Sequence, residues 1–268
     1  MVEMTEREKF LFDLQGFLVV RNFLNSDELT CINDAVDACS HLQHEDGSSN
    51  TAGSKSLAGT HKRGKFTGML NWPKPHCQPF RELIVHLKAI PYLNTMHGRG
   101  WRLDHSPFIL TSDDDTEGLV IHGSTNRRFD GAQYYTYRNG QMRCGMVVLQ
   151  YQLTDVEEGD GGLCVIPGSH KANYPCPPEI LAGHEQSGSV VTPHVDAGSA
   201  VIFTEALTHG TAPWVADYQR RSLLFKYSPA QQSWGPSYPP MPSVQLTGRQ
   251  KNLFEKPYFA QRASLFDD

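Results

Sequence analysis

The sequence predicts a mainly β protein with flanking helices, built as a jelly-roll barrel. Beyond residue 100 the chain carries about eight short apolar runs punctuated by Gly, Asn, Asp and Pro, the pattern of short strands in an all-β barrel. Helical periodicity is confined to segments before and beside those runs. No block recurs with a period of roughly 20 to 50 residues, which sets solenoids and propellers aside. The 268 residues are expected to form a single domain, 1–268, with a helical N-terminal layer over 1–100, a jelly-roll core over 101–230 and a C-terminal tail over 231–268.

Residues 5 to 16 read as a short amphipathic helix, and FLVV after them as a strand running into a turn. Asn25-Ser26-Asp27-Glu28 reads as a helix start with Ser26 as N-cap. Leu29, Ile32, Ala35 and Val36 recur at helical spacing and carry that helix to about Ala38. Residues 41 to 60 are polar and rich in Gly and Ser, a loop and a candidate lid. The basic segment HKRGKFTGMLNWPKP follows. It is either a loop that attracts an anionic substrate or a plain solvated loop, and the second reading is favoured. Pro79 to Leu93 reads as one further helix, ending near Pro91.

RLDHSPFILT, EGLVIHGS, CGMVVLQYQLTD and LCVIPGSH read as strands. RRFDGAQYYTYRNGQMR reads as a hairpin or loop near a pocket mouth, turning at Asn139-Gly140. If Val148 faces inward, period-2 alternation puts Gln150 and Gln152 on the same face, where a polar pocket must satisfy them. EEGDGG is a tight turn that glycine permits. Ser169 and His170 are adjacent but no nucleophile elbow surrounds them, so their reading is structural. A Pro-rich connection with the short helical piece PPEILAGH follows, and the tail beyond Gln231 is expected to wrap the surface.

Composition narrows the function classes. With 39% hydrophobic and 20% charged residues the chain suits a globular protein, and a net charge of −5 gives no electrostatic reason to bind nucleic acid. No apolar run approaches the roughly 18 residues of a membrane span. The start MVEMTEREKF lacks the apolar region of a secretory signal, so the chain is expected in the cytoplasm. None of the six cysteines forms a CxxC pair, which argues for reduced, packed thiols and against a cysteine zinc site.

The densest chemistry lies in GSAVIFTEALTHGTAPWVADYQRRSLLFKYS, residues 198–228. It reads strand, short turn, strand, with His209-Gly210 at a strand exit and Arg220 at the mouth of the next strand. A metal-bound imidazole and a guanidinium on neighbouring strands suit a metal-bound dicarboxylate. The metal chelates one end and the Arg fork grips the far carboxylate bidentately. His122, in EGLVIHGSTN, is the best upstream partner histidine.

These pieces, with QLTDVEEGDGGLCVIPGSHK (Gln152 to Lys171), LTHGT and RRSLLFKY, resemble the phytanoyl-CoA dioxygenase family of non-haem iron, 2-oxoglutarate-dependent oxygenases. The resemblance runs over most of the chain, from about residue 17 to the end of SLLFKYS. It implies a double-stranded β-helix (jelly-roll, cupin-like) barrel with iron(II) and 2-oxoglutarate as cofactors. It implies His122 and His209 as iron ligands and Arg220, rather than Arg221, as the anchor of 2-oxoglutarate. His122, His209 and Arg220 are then the catalytic set. It further implies a cosubstrate contact from the strand carrying His105, whereas a lone strand histidine read by itself is packed and hydrogen-bonded. Gln150 is a second candidate cosubstrate contact.

The family's first iron motif is His-x-Asp, and here it reads His122-Gly123-Ser124. Three sources of a third ligand stand open: Glu205, four residues before His209; Asp130, eight residues after His122; or no protein carboxylate. The last would leave a vacancy at Ser124 for water or chloride, as the resemblance to iron halogenases implies. The expected function is hydroxylation of an unactivated C–H bond of a small-molecule substrate. The rivals are a halogenase of the same machinery and a catalytically inactive ligand-binding barrel. Lys62, Arg63, Lys65, Arg127 and Arg128 hint at an anionic substrate.

Overall fold

The computed structural model describes residues 3–48, 51–98, 100–123, 130–182, 188–236 and 245–260. In chain order the elements are α1 Glu6–Gln15, β1 Phe17–Val20, α2 Ser26–Ala38, β2 His44–Glu45, β3 Gly64–Phe66, α3 Gln78–Leu83, α4 Ile90–His97, β4 Arg102–Leu103, β5 Phe108–Ser112, β6 Leu119–His122 and β7 Tyr135–Arg138. Then come β8 Gln141–Cys144, β9 Val147–Gln152, β10 Gly162–Val165, α5 Pro178–Leu181, β11 Ala200–Thr204, β12 His209–Ala212, β13 Arg220–Ser228 and α6 Gly248–Asn252.

A large sheet runs β1-β11-β9-β13-β5-β3-β2, with β4 also on β13, and faces a small sheet β10-β12-β6. Every ladder between described strands of the two sheets is antiparallel, and no pairing among those strands joins the two sheets into a closed barrel. The architecture is therefore the two-sheet jelly roll, with helices covering the outer face of the large sheet.

Alternation along β13 explains the layers. Leu223, Phe225 and Tyr227 share a buried cluster with Phe23, Ile32 and Leu93 of the helical side. Leu224 instead joins Val148, Leu163, Val165 and Phe203 between the sheets. Successive side chains point to opposite faces, so Arg220, Ser222, Leu224 and Lys226 all face the inter-sheet space. At roughly 25 cal/mol per Å² of apolar surface removed from water, the two clusters hold the layers together.

Several expectations need correction. Asn25, not Ser26, caps α2: its side chain accepts from Glu28 N at 2.9 Å while Glu28 Oε2 accepts from Asn25 N at 2.8 Å, a reciprocal capping box. The single helix expected over Pro79–Leu93 is two, α3 and α4, because Pro91 lies in the first turn of a new helix. The strand expected at RLDHSPFILT breaks into β4 and β5, its Asp104 carboxylate drawn away by Ser228 Oγ at 2.6 Å. The first hundred residues are not only helical, since β1, β2 and β3 enter the large sheet. The basic segment is no solvated loop: it holds β3, and Arg63 is 2% exposed. The β7–β8 hairpin turns where expected, with Asn139 at φ 53 and Gly140 at φ 76. It packs on α4 and not at the mouth of the inter-sheet cavity.

Candidate metal centre

His209 opens a strand and is not a turn residue, and it sits in the small sheet while Arg220 sits in the large one. The two face each other across the interior and are not on neighbouring strands. On β6 the partner of His209 is His122, the two Cα positions in register. Directly opposed residues of an antiparallel pair project to one face, and the two ring centroids lie 4.4 Å apart. The ladder slips between His209 and Thr211, a bulge that brings backbones together. Gly210 allows this, because a Cβ there would lie 2.7 Å from Leu119 O.

Both imidazoles are oriented in the same way. His122 Nδ1 is 3.0 Å from Val120 O and His209 Nδ1 is 2.7 Å from Leu207 O. A carbonyl oxygen only accepts, so each Nδ1 carries a hydrogen and each Nε2 is left as the ring atom available to a metal. Carbonyl contacts of this kind are the usual outer support of metal-bound histidines. Burial, reinforced by His122 nearby and opposed by Glu205, pushes His209 down to about 4, so it is neutral near pH 7.

Glu205 completes a three-membered group: one ligand atom each from His122, Glu205 and His209 lie within 4.8 Å of one another. Glu205 Oε2 stands 3.9 Å from His209 Nε2, and Oε1 accepts from Lys226 Nζ at 2.7 Å. Burial alone would push this carboxyl up, but Lys226 and the two imidazoles outweigh it and hold it at about 2. Two imidazoles and one carboxylate are the donor set of the non-haem iron(II) face.

The cluster opens into a cavity of about 170 Å³ whose wall includes Gln150, Arg220, Arg63, Lys65, Thr211 and Phe108. Arg220 is 2% exposed, and burial with Arg63 nearby lowers its guanidinium to about 10, still cationic near pH 7. Its Nε and Nη1, Arg63 Nε and Gln150 Nε2 are buried without hydrogen-bond partners. All four are donors, so the cavity calls for an acceptor-rich anion. A dicarboxylate such as 2-oxoglutarate answers that need. Gly162 makes room for Arg220: at φ +86 it carries no Cβ, and one placed there would meet Arg220 Nε at 2.9 Å.

Other candidates fall elsewhere. His105 is not on the cavity wall; its Nδ1 is 3.0 Å from Asp104 Oδ1 and its ring lies 6.5 Å from that of Trp234. Asp130 is not in the three-membered group; its Oδ1 accepts from Ala132 N at 2.7 Å in a turn before β7. Ser124, Arg127 and Arg128 lie outside the described residues. Lys62 pairs with Glu117 at 2.6 Å, away from the cavity wall. Sequence reading missed Asp46, which binds Arg63 at 2.7 Å, as well as Thr211 and Lys226. Period-2 counting from His209 and from Arg220 finds the last two.

Residues 118–222 match the model of the phytanoyl-CoA dioxygenase family, a span that includes His122, Glu205, His209 and Arg220. No curated protein matches the chain in sequence. Among solved structures, HygX from Streptomyces hygroscopicus with nickel, 2-oxoglutarate and hygromycin B bound superposes at TM-score 0.68 with 21% identity over 86% of this chain and 89% of that one. The carbocyclase SnoK from nogalamycin biosynthesis gives 0.59 and 16% over 85% of each chain. The epimerase SnoN from the same biosynthesis gives 0.59 and 17% over 91% and 96%. These structures share the fold. The family match spans the whole donor set, so over residues 118–222 the chain is similar to the phytanoyl-CoA dioxygenase family, and its candidate metal centre lies within that stretch.

Proposed function

We propose that this enzyme hydroxylates an unactivated C–H bond of a small-molecule substrate bearing an anionic group. In this reading His122, His209 and Glu205 hold iron(II) through their free Nε2 and Oε2 atoms, and Arg220 and Gln150 bind 2-oxoglutarate. The observation that carries it is the convergence of three ligand atoms within 4.8 Å beside a buried guanidinium with two unpaired N–H groups. Bound iron, 2-oxoglutarate and dioxygen supply the oxidation, with succinate and carbon dioxide as coproducts. The protein's own part is orientation and exclusion of water. Arg220 grips the distal carboxylate bidentately, and Leu163, Phe203 and Leu224 dry the walls. Lys65, with its ammonium 4.9 Å from the Phe108 ring centroid, is placed to meet an anionic substrate.

Glu205 favours hydroxylation over halogenation, since a buried, ionised carboxylate already offers the metal an anion. Three convergent donors likewise favour an active centre over an inactive barrel. The neighbours' carbocyclase and epimerase labels make the outcome of the oxidation the point to test. Protein loaded anaerobically with iron(II) is expected to show a weak visible charge-transfer band on adding 2-oxoglutarate and to release succinate in air. Turnover of a screened anionic substrate should add one oxygen atom, with or without chloride present. Absence of both band and succinate ends the enzyme reading, while a chlorinated product moves it to halogenation.

A further inference from the structure

The Glu205 carboxylate is shared between two demands. Its backbone N donates to Met146 O at 2.9 Å just past the end of β11, and its side chain is 5% exposed. Lys226 reaches it from β13, two strands away. The ladders put Lys226, Val148 and Phe203 in one row across β13, β9 and β11. At roughly 4.8 Å per strand the ammonium must cross about 10 Å, and the small Val148 between leaves that path clear. The far side of Lys226 is closed by Phe108, whose ring centroid is 6.0 Å from Nζ.

We propose that Lys226 is a positioning residue of the metal centre. By holding Oε1 of Glu205 at 2.7 Å it turns Oε2 toward His122 and His209 and restricts the carboxylate to one-oxygen coordination. This rests on the reading of Glu205 as a metal ligand. A carboxylate offers two oxygens, and a free one could swing away or chelate through both. A charge-assisted bond to one oxygen removes both options, and outer partners of metal ligands act in this way. The family's aspartate is absent from the residue two after His122, so the carboxylate comes from another strand, and Lys226 supplies the support it needs there.

The test uses cobalt(II) as the probe on the full chain under nitrogen, with affinity and the visible ligand-field spectrum as readouts. Lys226→Met is expected to lower cobalt affinity roughly 10- to 100-fold, the range for lost outer partners, and to change the spectrum. Lys226→Arg, which keeps a charged donor, should restore much of both. Lys226→Gln, uncharged and shorter, answers the same question should the methionine variant not fold. Wild-type affinity and spectrum in a folded Lys226→Met or Lys226→Gln protein overturn the proposal. Glu205→Gln separates the two readings. If it also binds cobalt as the wild type does, Glu205 is no ligand and both fall. If it loses cobalt while the Lys226 variants keep it, only the positioning role falls.

Discussion

Arg220 and Lys226 project from the same face of one strand into the same cavity, Arg220 with two unpaired N–H groups and Lys226 bound to Glu205. Six residues of strand separate their Cα atoms by about 20 Å. One element of the large sheet thus carries a cation at each end of the site, opposite the two imidazoles of the small sheet. Sheet-to-sheet packing sets the geometry, so residues remote from the cavity influence it only by moving one sheet against the other.

In the proposed centre, replacing His209 by alanine removes a ligand and leaves the cavity otherwise intact. Iron or cobalt binding should fall by more than the 10- to 100-fold typical of lost outer partners. Because the imidazole is buried and bonded to Leu207 O, the variant should also melt earlier. Metal content after anaerobic reconstitution and dialysis checks the first outcome. Retention of one tightly held equivalent would remove His209 from the ligand set.

Much of this arrangement is legible in the sequence, and the exceptions share a cause. The strands, the hairpin at Asn139-Gly140 and the inward face of Gln150 follow from local period and turn chemistry. The cap of α2 was also within reach: Asn25-x-x-Glu28 has the capping-box spacing, which Ser26 lacks. Arg63 was not, because its burial depends on Asp46, seventeen residues away in a polar loop, and no local pattern announces a charge pair. His105 misled for the complementary reason: its neighbour Asp104 serves Ser228 at the end of β13 and Trp234 in the tail, partners more than a hundred residues away.

Arg220 should dominate binding of 2-oxoglutarate. Charge-assisted hydrogen bonds contribute about 1.5–3 kcal/mol each, so Arg220→Met should weaken 2-oxoglutarate roughly 10- to 100-fold or more while leaving cobalt affinity near wild type. In the ligand-free protein the same change removes a buried charge without partners on Nε and Nη1 and should cost little stability or raise it. Calorimetric titration and melting with and without 2-oxoglutarate check both. A variant that still gains wild-type thermal stabilisation from 2-oxoglutarate contradicts the assignment.

Acid should destabilise the fold through histidines outside the metal group. Burial lowers His97 to about 3. Burial first, then Lys171, lowers His170 to about 4, each from an ordinary 6.5. A depressed histidine stays neutral in the fold while the unfolded chain takes up the proton, so stability is full above about pH 6.5 and falls as the pH drops toward those values. Urea midpoints should decline across that window, and His170→Asn should decline less steeply. Equal slopes for variant and wild type would exclude His170 as a contributor.

The pair Asp46–Arg63 tests whether the cavity's second guanidinium is held for structure. Asp46 Oδ2 lies 2.7 Å from Arg63 Nη2 with both side chains almost fully buried, and Arg63 Nη1 reaches Thr211 Oγ1 at 3.3 Å. Removing one member strands the other charge, so Asp46→Asn should cost about 3–5 kcal/mol. The double variant Asp46→Asn with Arg63→Met leaves no stranded charge and should recover a large part of that loss. Chemical denaturation of the single and double variants gives the coupling. If Asp46→Asn is neutral, Arg63 draws no support from Asp46.

Gly162 offers the most local test of how the fold shapes the anion end of the site. Its φ of +86 disfavours any side chain, and an added Cβ would meet Arg220 Nε at 2.9 Å. Gly162→Ala should therefore cost about 1–3 kcal/mol in backbone strain. It should also push the guanidinium from its place, so that 2-oxoglutarate binds more weakly while cobalt binding by the imidazoles changes little. The end of the long Arg220 side chain has some freedom to move, so the binding loss should be smaller than that of Arg220→Met. Thermal melts and 2-oxoglutarate titrations on the same sample separate strain from displacement: lower stability with unchanged 2-oxoglutarate affinity would mean that Gly162 serves the turn alone.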